Sequence, residues 1–148
     1  MMLYTISEAA VKMQLTPYTL RYYDKEGLIP FVERSAGGIR LFKEKDFEWI
    51  RLIECMKTAG MPIKEIKTFI DWYMEGDSTL QLRRNMFHER KKIVEEHIEL
   101  LNKTLDTLNY KCWFYDTAVA AGTTSVPKNM KQEDMPNEIR ELKDKIDL

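Results

Sequence analysis

The sequence predicts a mainly α-helical protein, in which a small head of helix, helix, β-hairpin, helix and helix is followed by one long helix. Three observations carry that expectation. Two short helix signals are separated only by Gln14, Leu15 and Thr16, too few residues for anything but a sharp turn. β-Branched and aromatic residues lie on either side of Ser35-Ala36-Gly37-Gly38, as at the tip of a hairpin. From Leu80 onward an apolar residue recurs at every seventh position, through Phe87, Val94, Leu101 and Leu108.

Each element has a local cause. Thr5 followed three residues later by Glu8 is a capping box, each side chain satisfying the other's free backbone N–H, so a first helix starts near Ile6. Ile6, Ala9, Ala10 and Met13 share one face of it. Thr16 is placed to cap the second helix, Pro17 suits its first position, and Gly27 supplies a left-handed residue to end it. The stretch "LIPFVERSAGGIRLF" then reads as a β-hairpin, or wing. Helical spacing resumes at Glu44 and runs through Phe47, Ile50, Ile53 and Met56 to a stop at Gly60. Pro62 starts a fourth helix with Ile63, Ile66, Phe69, Ile70 and Tyr73 as its buried stripe, and Gly76 ends it before Ser78 caps the fifth.

That fifth helix, from Thr79 to about Lys111, would extend close to ~50 Å at 1.5 Å per residue, too far for so small a domain to cover. It needs a partner. Ile98, Leu105 and Cys112 occupy the second seam position of the later heptads, while Arg84 and Lys91 weaken the early ones. Phe87, Val94, Ile98, Leu101, Leu105 and Leu108 are therefore the expected dimerisation residues. Met86, Ile93 and Leu100 widen the stripe beside them. The alternative is a helix folded back on its own core. Trp113, Phe114 and Tyr115 open a segment of different composition, expected to be a cap or linker, and Ile139, Leu142 and Ile146 mark a short terminal helix. The expected division is a compact head over 1–76, a dimerisation helix over 77–112 and a short cap and tail over 113–148.

Composition bounds the function classes. A chain of 148 residues with 44% hydrophobic content can bury one modest core. Charge interrupts every apolar run well before the roughly 18 residues of a membrane span, and no basic stretch leads into an apolar one at the N-terminus, so a cytoplasmic protein without membrane contact is expected. Cys55 and Cys112 lack the paired spacing of a zinc ribbon or a redox motif, and both should be free thiols. Net charge is −1, and Met1–Met74 holds eleven basic against ten acidic residues, so composition is neutral on DNA.

The stretch "TPYTLRYYDKEGL" is more informative. A helix packed across a tight turn with a hairpin beside it suits insertion into a DNA major groove. With Leu20 and Tyr23 facing the core, Thr16, Tyr18, Thr19, Arg21, Tyr22 and Lys25 remain as candidates for bases and phosphates, and Arg34 and Arg40 on the wing for the adjoining backbone. On the other reading the tyrosines only cover a small core with their hydroxyls in water.

Several motifs recur together. "YTISEAAVKMQLTPYTLRYYDKEGLI", the wing "GGIRLF" and the second wing "AGMPIKEIKTFI" resemble the MerR family of bacterial transcription regulators, from Leu3 to about Thr123. Ile39 departs from the pattern, standing where many members carry an aromatic before the wing arginine. The resemblance implies a homodimer held by an antiparallel coiled coil. It also implies binding to double-stranded, pseudo-palindromic promoter DNA whose spacer is too long. Members of the family bend and untwist the centre of the site so that bacterial RNA polymerase meets both promoter elements. Arg21, Tyr22, Arg34 and Arg40 would make the main phosphate contacts.

The remainder bears on what is sensed. Ser78 and Thr79 stand where metal-sensing branches carry a cysteine, and His88 and His97 are nine residues apart, a poor spacing for one helix face, so neither metal nor cofactor is expected. Multidrug sensing needs a large pocket domain, and fewer than forty residues follow Lys111. "IRLIECMKTAGMPIKEI" and "FIDWYMEGDSTLQLRR" resemble the aldehyde- and electrophile-responsive branch, in which a cysteine lies where Cys55 does. Cys55 is then the expected sensing thiol, the alternative being a small hydrophobe near a helix end. Cys112 is a weaker candidate that also fits as an inert seam residue. An effector-independent repressor or architectural DNA-binding dimer stays open. A cysteine enzyme finds no support, since no base or Gly-rich loop accompanies either thiol.

Overall fold

The computed structural model describes residues 2–146. The chain divides into two compact units, Met1–Lys91 and Lys92–Leu148.

In the first unit the capping box forms as expected. Thr5 Oγ1 accepts from the Glu8 amide at 3.2 Å, the Glu8 carboxylate accepts from the Thr5 amide at 3.1 Å, and α1 (Ile6–Met13) follows. The turn to α2 (Pro17–Lys25) places Gln14 at φ 57°, in the left-handed region, with the Leu15 amide donating to Ala10 O at 2.9 Å. A left-handed non-glycine residue costs about 1–2 kcal/mol, which the packing of Ala9 and Ala10 against Leu20 and its neighbours must offset. Gly27 ends α2 at φ 77°, and a Cβ there would also lie 3.1 Å from Lys67 Cε.

The wing is short. β1 (Glu33–Arg34) pairs antiparallel with β2 (Arg40–Leu41), Glu33 opposite Leu41 and Arg34 opposite Arg40. A further pairing comes from the N-terminus: Tyr4 and Phe42 exchange backbone hydrogen bonds of 2.8 and 2.9 Å, tying residue 4 to the base of the hairpin. Nothing local in the sequence announces that bridge, because it joins residues 38 positions apart.

Helix α3 (Glu44–Thr58) buries Phe47, Ile50, Ile53 and Met56, the four residues its spacing selects. Its first turn also buries Asp46, whose Oδ2 accepts from the Lys43 amide at 2.9 Å while Oδ1 has no partner among the described residues. Burial raises the Asp46 pKa. Helix α4 (Ile63–Glu75) buries Ile66, Phe69 and Ile70, with Ile63 and Tyr73 only half-buried at the edge of the stripe. Gly76, at φ 96°, ends it.

Helix α5 (Leu80–Ala121) does not start as the sequence suggests. Ser78 is exposed within a 3₁₀ turn, Asp77–Thr79, and makes no cap. Thr79 is the residue that is buried there, its hydroxyl 2.6 Å from Trp72 O and 2.8 Å from Gly76 O while accepting from Arg83 Nε at 3.0 Å. The reason is tertiary: a buried hydroxyl needs partners, and the end of α4 supplies them.

In the second unit α5 continues to Ala121, some ten residues beyond its expected end. Trp113, Phe114 and Tyr115 are thus helical and form no linker. Neither Gly nor Pro interrupts the segment before Gly122, which leaves the helix at φ 78°. Short α6 (Ser125–Asn129) and α7 (Asn137–Lys145) follow, α7 where the sequence places it. Tyr110, Ala118, Pro127 and Met135 are buried, and Lys145 and Ile146 share a shallow cleft with Lys103, Asp106 and Thr107 of α5. The seam stays open. Val94 is half-buried, while Ile98, Leu101, Leu105 and Leu108 are 52%, 56%, 52% and 55% exposed. Among the described residues no helix is long and apolar enough to cross a membrane.

Candidate nucleic-acid interface

Helix α2 presents one outer face and one inner face. Tyr18, Arg21, Tyr22 and Lys25 follow the i, i+3, i+4, i+7 spacing that aligns side chains along a helix, and all four are exposed. Neither Arg21 nor Lys25 is ion-paired among the described residues. Two phenols and two cations on a single solvated stripe can meet base edges and phosphate oxygens together. At its N-terminal end Thr16 Oγ1 accepts from the Thr19 amide at 3.1 Å, and the two hydroxyls are 2.9 Å apart. Both threonines are thus occupied in capping α2, off the stripe the other four share.

The inner face anchors the helix. Leu20 and Tyr23 are fully buried, as their spacing predicts. The Tyr23 hydroxyl donates to the Glu54 carboxylate and accepts from Lys57 Nζ at 2.8 Å, with the ammonium 5.1 Å from the ring centroid. Burial, and then Glu54, push the phenol pKa well above its ordinary value, so it remains a neutral donor. Through this group α2 is hydrogen-bonded to α3.

The wing arginines, expected to meet the adjoining DNA backbone, are both ion-paired within the chain. Arg34 Nη2 lies 2.6 Å from Asp24 Oδ2, and Arg40 reaches the same oxygen through Nε at 2.9 Å and Nη2 at 2.8 Å. Arg34 also donates through Nη1 to Gly38 O at 2.9 Å, closing the wing turn. Asp24 holds both guanidiniums against the last turn of α2, and two cations on one anion leave the corner net positive. Sequence reasoning missed Asp24. The signal that could have found it is an acid at the flank of an otherwise basic and aromatic stripe. Ile39, at the wing tip, is 63% exposed.

Cys55 lies exposed on α3, next to Glu54 and two residues before Lys57. Lys57 is occupied with the Tyr23 hydroxyl and lies 3.8 Å from Glu54. Cys112 is exposed on α5 in the second unit. Of the six seam residues, Phe87 stands apart: its ring meets Phe69 edge-on at 5.1 Å within the first unit.

A tight helix-turn-helix with an outward basic and aromatic stripe, beside a hairpin carrying two arginines, defines a winged helix-turn-helix DNA-binding protein. Residues 4–71 match the model of the MerR HTH family regulatory protein, and residues 47–110 match that of MerR, DNA binding. The chain is 43% identical over 122 residues to an HTH-type transcriptional regulator of Haemophilus influenzae, covering 82% of this chain and 90% of that one. It is 41% identical over 91 residues to the HTH-type transcriptional regulator AdhR of Bacillus subtilis, covering 61% and 65%. The crystal structure of HiNmlR, a MerR family regulator lacking the sensor domain, bound to promoter DNA, superposes with a TM-score of 0.79 at 43% identity, over 84% of this chain and 98% of that one. A MerR family regulator from Bacillus thuringiensis superposes with a TM-score of 0.68 at 41% identity, over 75% and 97%. The chain belongs to the MerR family of DNA-binding transcription regulators, and its relatives are regulators rather than enzymes.

Proposed function

We propose that the protein is a homodimeric promoter-binding regulator that acts in the cytoplasm by distorting DNA, and that a thiol-reactive electrophile such as an aldehyde controls it through Cys55. The observation that carries this reading is the pairing of two exposed features, the Tyr18–Arg21–Tyr22–Lys25 stripe and the uncovered seam of α5. Each stripe reads one half-site, and the seam supplies the two-fold arrangement that a pseudo-palindromic promoter requires.

On this reading 1–76 is the DNA-binding head, 77–112 the dimerisation helix and 113–148 the cap and tail. Val94, Ile98, Leu101, Leu105 and Leu108 pack in an antiparallel coiled coil, with Phe87 shared between the seam and the head. Thr16 and Thr19 set the entry of α2, the stripe meets bases and phosphates, and Arg34 and Arg40 meet the adjoining backbone. RNA polymerase then engages the distorted promoter. Exposure of Cys55 supports the sensing role, as does the 41% identity to AdhR. Adduct formation there adds bulk beside Glu54 and Lys57, the groups that hold Tyr23 and hence α2.

The test is transcription in vitro from a bound promoter, with and without formaldehyde or methylglyoxal, using wild type, Cys55→Ser and Cys112→Ser. Wild type and Cys112→Ser should respond, whereas Cys55→Ser should bind the promoter and stay silent. A full response from Cys55→Ser would sink the thiol switch at this position, and a wild type that ignores both aldehydes would leave an effector-independent regulator.

A further inference from the structure

Asp24 is an acid in a place where acids repel the ligand. It follows Arg21 by three residues, so it sits about 60° around α2 from the edge of the DNA-facing stripe. A carboxylate so near the phosphates weakens binding unless it does something that outweighs the repulsion. What it does is geometric. A single carboxylate oxygen accepts from two arginines that face each other across the wing, Arg34 and Arg40 being cross-strand partners. The side chains of Asp24 and Arg40 are 21% and 24% exposed, that of Arg34 47%, so the carboxylate and one guanidinium are largely enclosed while the other faces water.

We propose that Asp24 is a specificity-determining positioning residue, which docks the wing on α2 so that phosphate contacts by the wing arginines fix the register in which the stripe meets base edges. The proposal rests on the assignment of α2 and the wing to the DNA interface. Without the clamp both arginines keep their charge and reach phosphates from many orientations. Attraction to any duplex is then retained or increased, while the one alignment that matches sequence is lost. Affinity for non-specific DNA and discrimination between sequences move in opposite directions, which a simple loss of folding does not produce.

The experiment measures binding of the full-length protein to two duplexes across a salt series, one selected by wild type from a random-sequence pool and one a scrambled version of it. Asp24→Asn should weaken binding to the selected duplex at least about tenfold while holding or tightening binding to the scrambled one, since each misplaced base contact typically removes about that factor. Its salt slope should not fall, because no phosphate-binding cation is removed. Arg40→Gln should weaken both duplexes together and reduce the slope by about 2 in a symmetric dimer, at roughly 0.9 per lost phosphate contact. Asp24→Glu, which keeps the charge, should recover part of the discrimination. If Asp24→Asn leaves the ratio of the two affinities unchanged while Arg40→Gln behaves as stated, the positioning role is wrong and the interface stands. If Arg21→Ala and Arg40→Gln both leave binding unchanged, the interface itself is misassigned.

Discussion

The two units of the chain use the same sequence pattern for different ends. In Met1–Lys91 the apolar faces of α1, α2, α3 and α4 close on one another, and Leu20, Tyr23, Phe47, Ile50, Ile53, Ile66 and Ile70 lose essentially all contact with water. In Lys92–Leu148 an equally regular stripe along α5 stays more than half exposed at Ile98, Leu101, Leu105 and Leu108, although the unit folds short segments after it and buries Tyr110, Pro127 and Met135. Periodicity therefore says that a face will be buried; whether the chain or another molecule buries it depends on how many elements surround it. Helix α3 has neighbours on its own chain. The seam of α5 has none along Ile98–Leu108, and on the proposed reading a second copy covers it.

The sharpest way to break that comparison is to damage both faces and read folding and association separately. Phe47→Ala should lower the stability of the first unit by about 3–5 kcal/mol, the usual cost of a large aromatic cavity, as followed by denaturant unfolding. Leu105→Asp should leave that unfolding transition within about 0.5 kcal/mol of wild type, as for an exposed site. It should nevertheless convert the dimer to monomer in sedimentation velocity and abolish promoter binding, because a carboxylate on the proposed seam costs several kcal/mol unless it stays in water. A wild-type protein that sediments as a monomer at micromolar concentration would remove the second unit's half of the comparison.

A smaller effect separates the proposed DNA-facing stripe of α2 from the tail. Arg21→Ala should weaken promoter binding at least tenfold, since a charged contact to base or phosphate contributes about 1–3 kcal/mol and a symmetric dimer loses it twice. Lys128→Ala, on α6, should bind like wild type. Equal binding by the two variants at matched salt would take α2 out of its assigned role.

The smallest effect concerns acid, and it sharpens the picture of the first unit. Glu8, Glu33 and Glu44 titrate below their ordinary value of 4.5, held there chiefly by the Thr5 amide, by Lys43 and by the Tyr4 hydroxyl respectively. Their stabilisation is complete above that value and is lost as pH falls through the folded pKa values. Asp46 opposes them: burial raises its pKa above 3.8, so its protonation favours the folded state over the interval between the unfolded and folded values. The melting temperature should therefore fall below about pH 4.5, and fall more steeply in Asp46→Asn, where the opposing contribution is gone. An identical pH profile for the two proteins would refute the assignment to Asp46.

How much was legible follows from how far apart the interacting groups are. The Thr5–Glu8 box, the Thr16 cap with Pro17, and the glycines at 27 and 76 are local devices, and local devices can be read directly from neighbouring residues. The spacing of Phe47, Ile50, Ile53 and Met56 on α3 likewise predicts its buried face, because a helix repeats every 3.6 residues whatever surrounds it. Outward placement of Tyr18, Arg21, Tyr22 and Lys25 comes from the same geometry.

The remaining features needed three dimensions. Thr79 rather than Ser78 secures the start of α5, since the end of α4 provides the carbonyls that a buried hydroxyl requires. Trp113–Tyr115 stay helical because nothing breaks the helix before Gly122, a local signal that the shift in composition masked. The capture of Arg34 and Arg40 by Asp24 joins residues 10 and 16 positions apart, beyond any local pattern, and it holds the two wing arginines as a fixed pair. By itself the sequence determined the helices of the head and which of their faces are apolar, through backbone geometry and short-range capping. Only the tertiary structure decided which polar groups meet, because a charge finds its partner through the packing of whole elements.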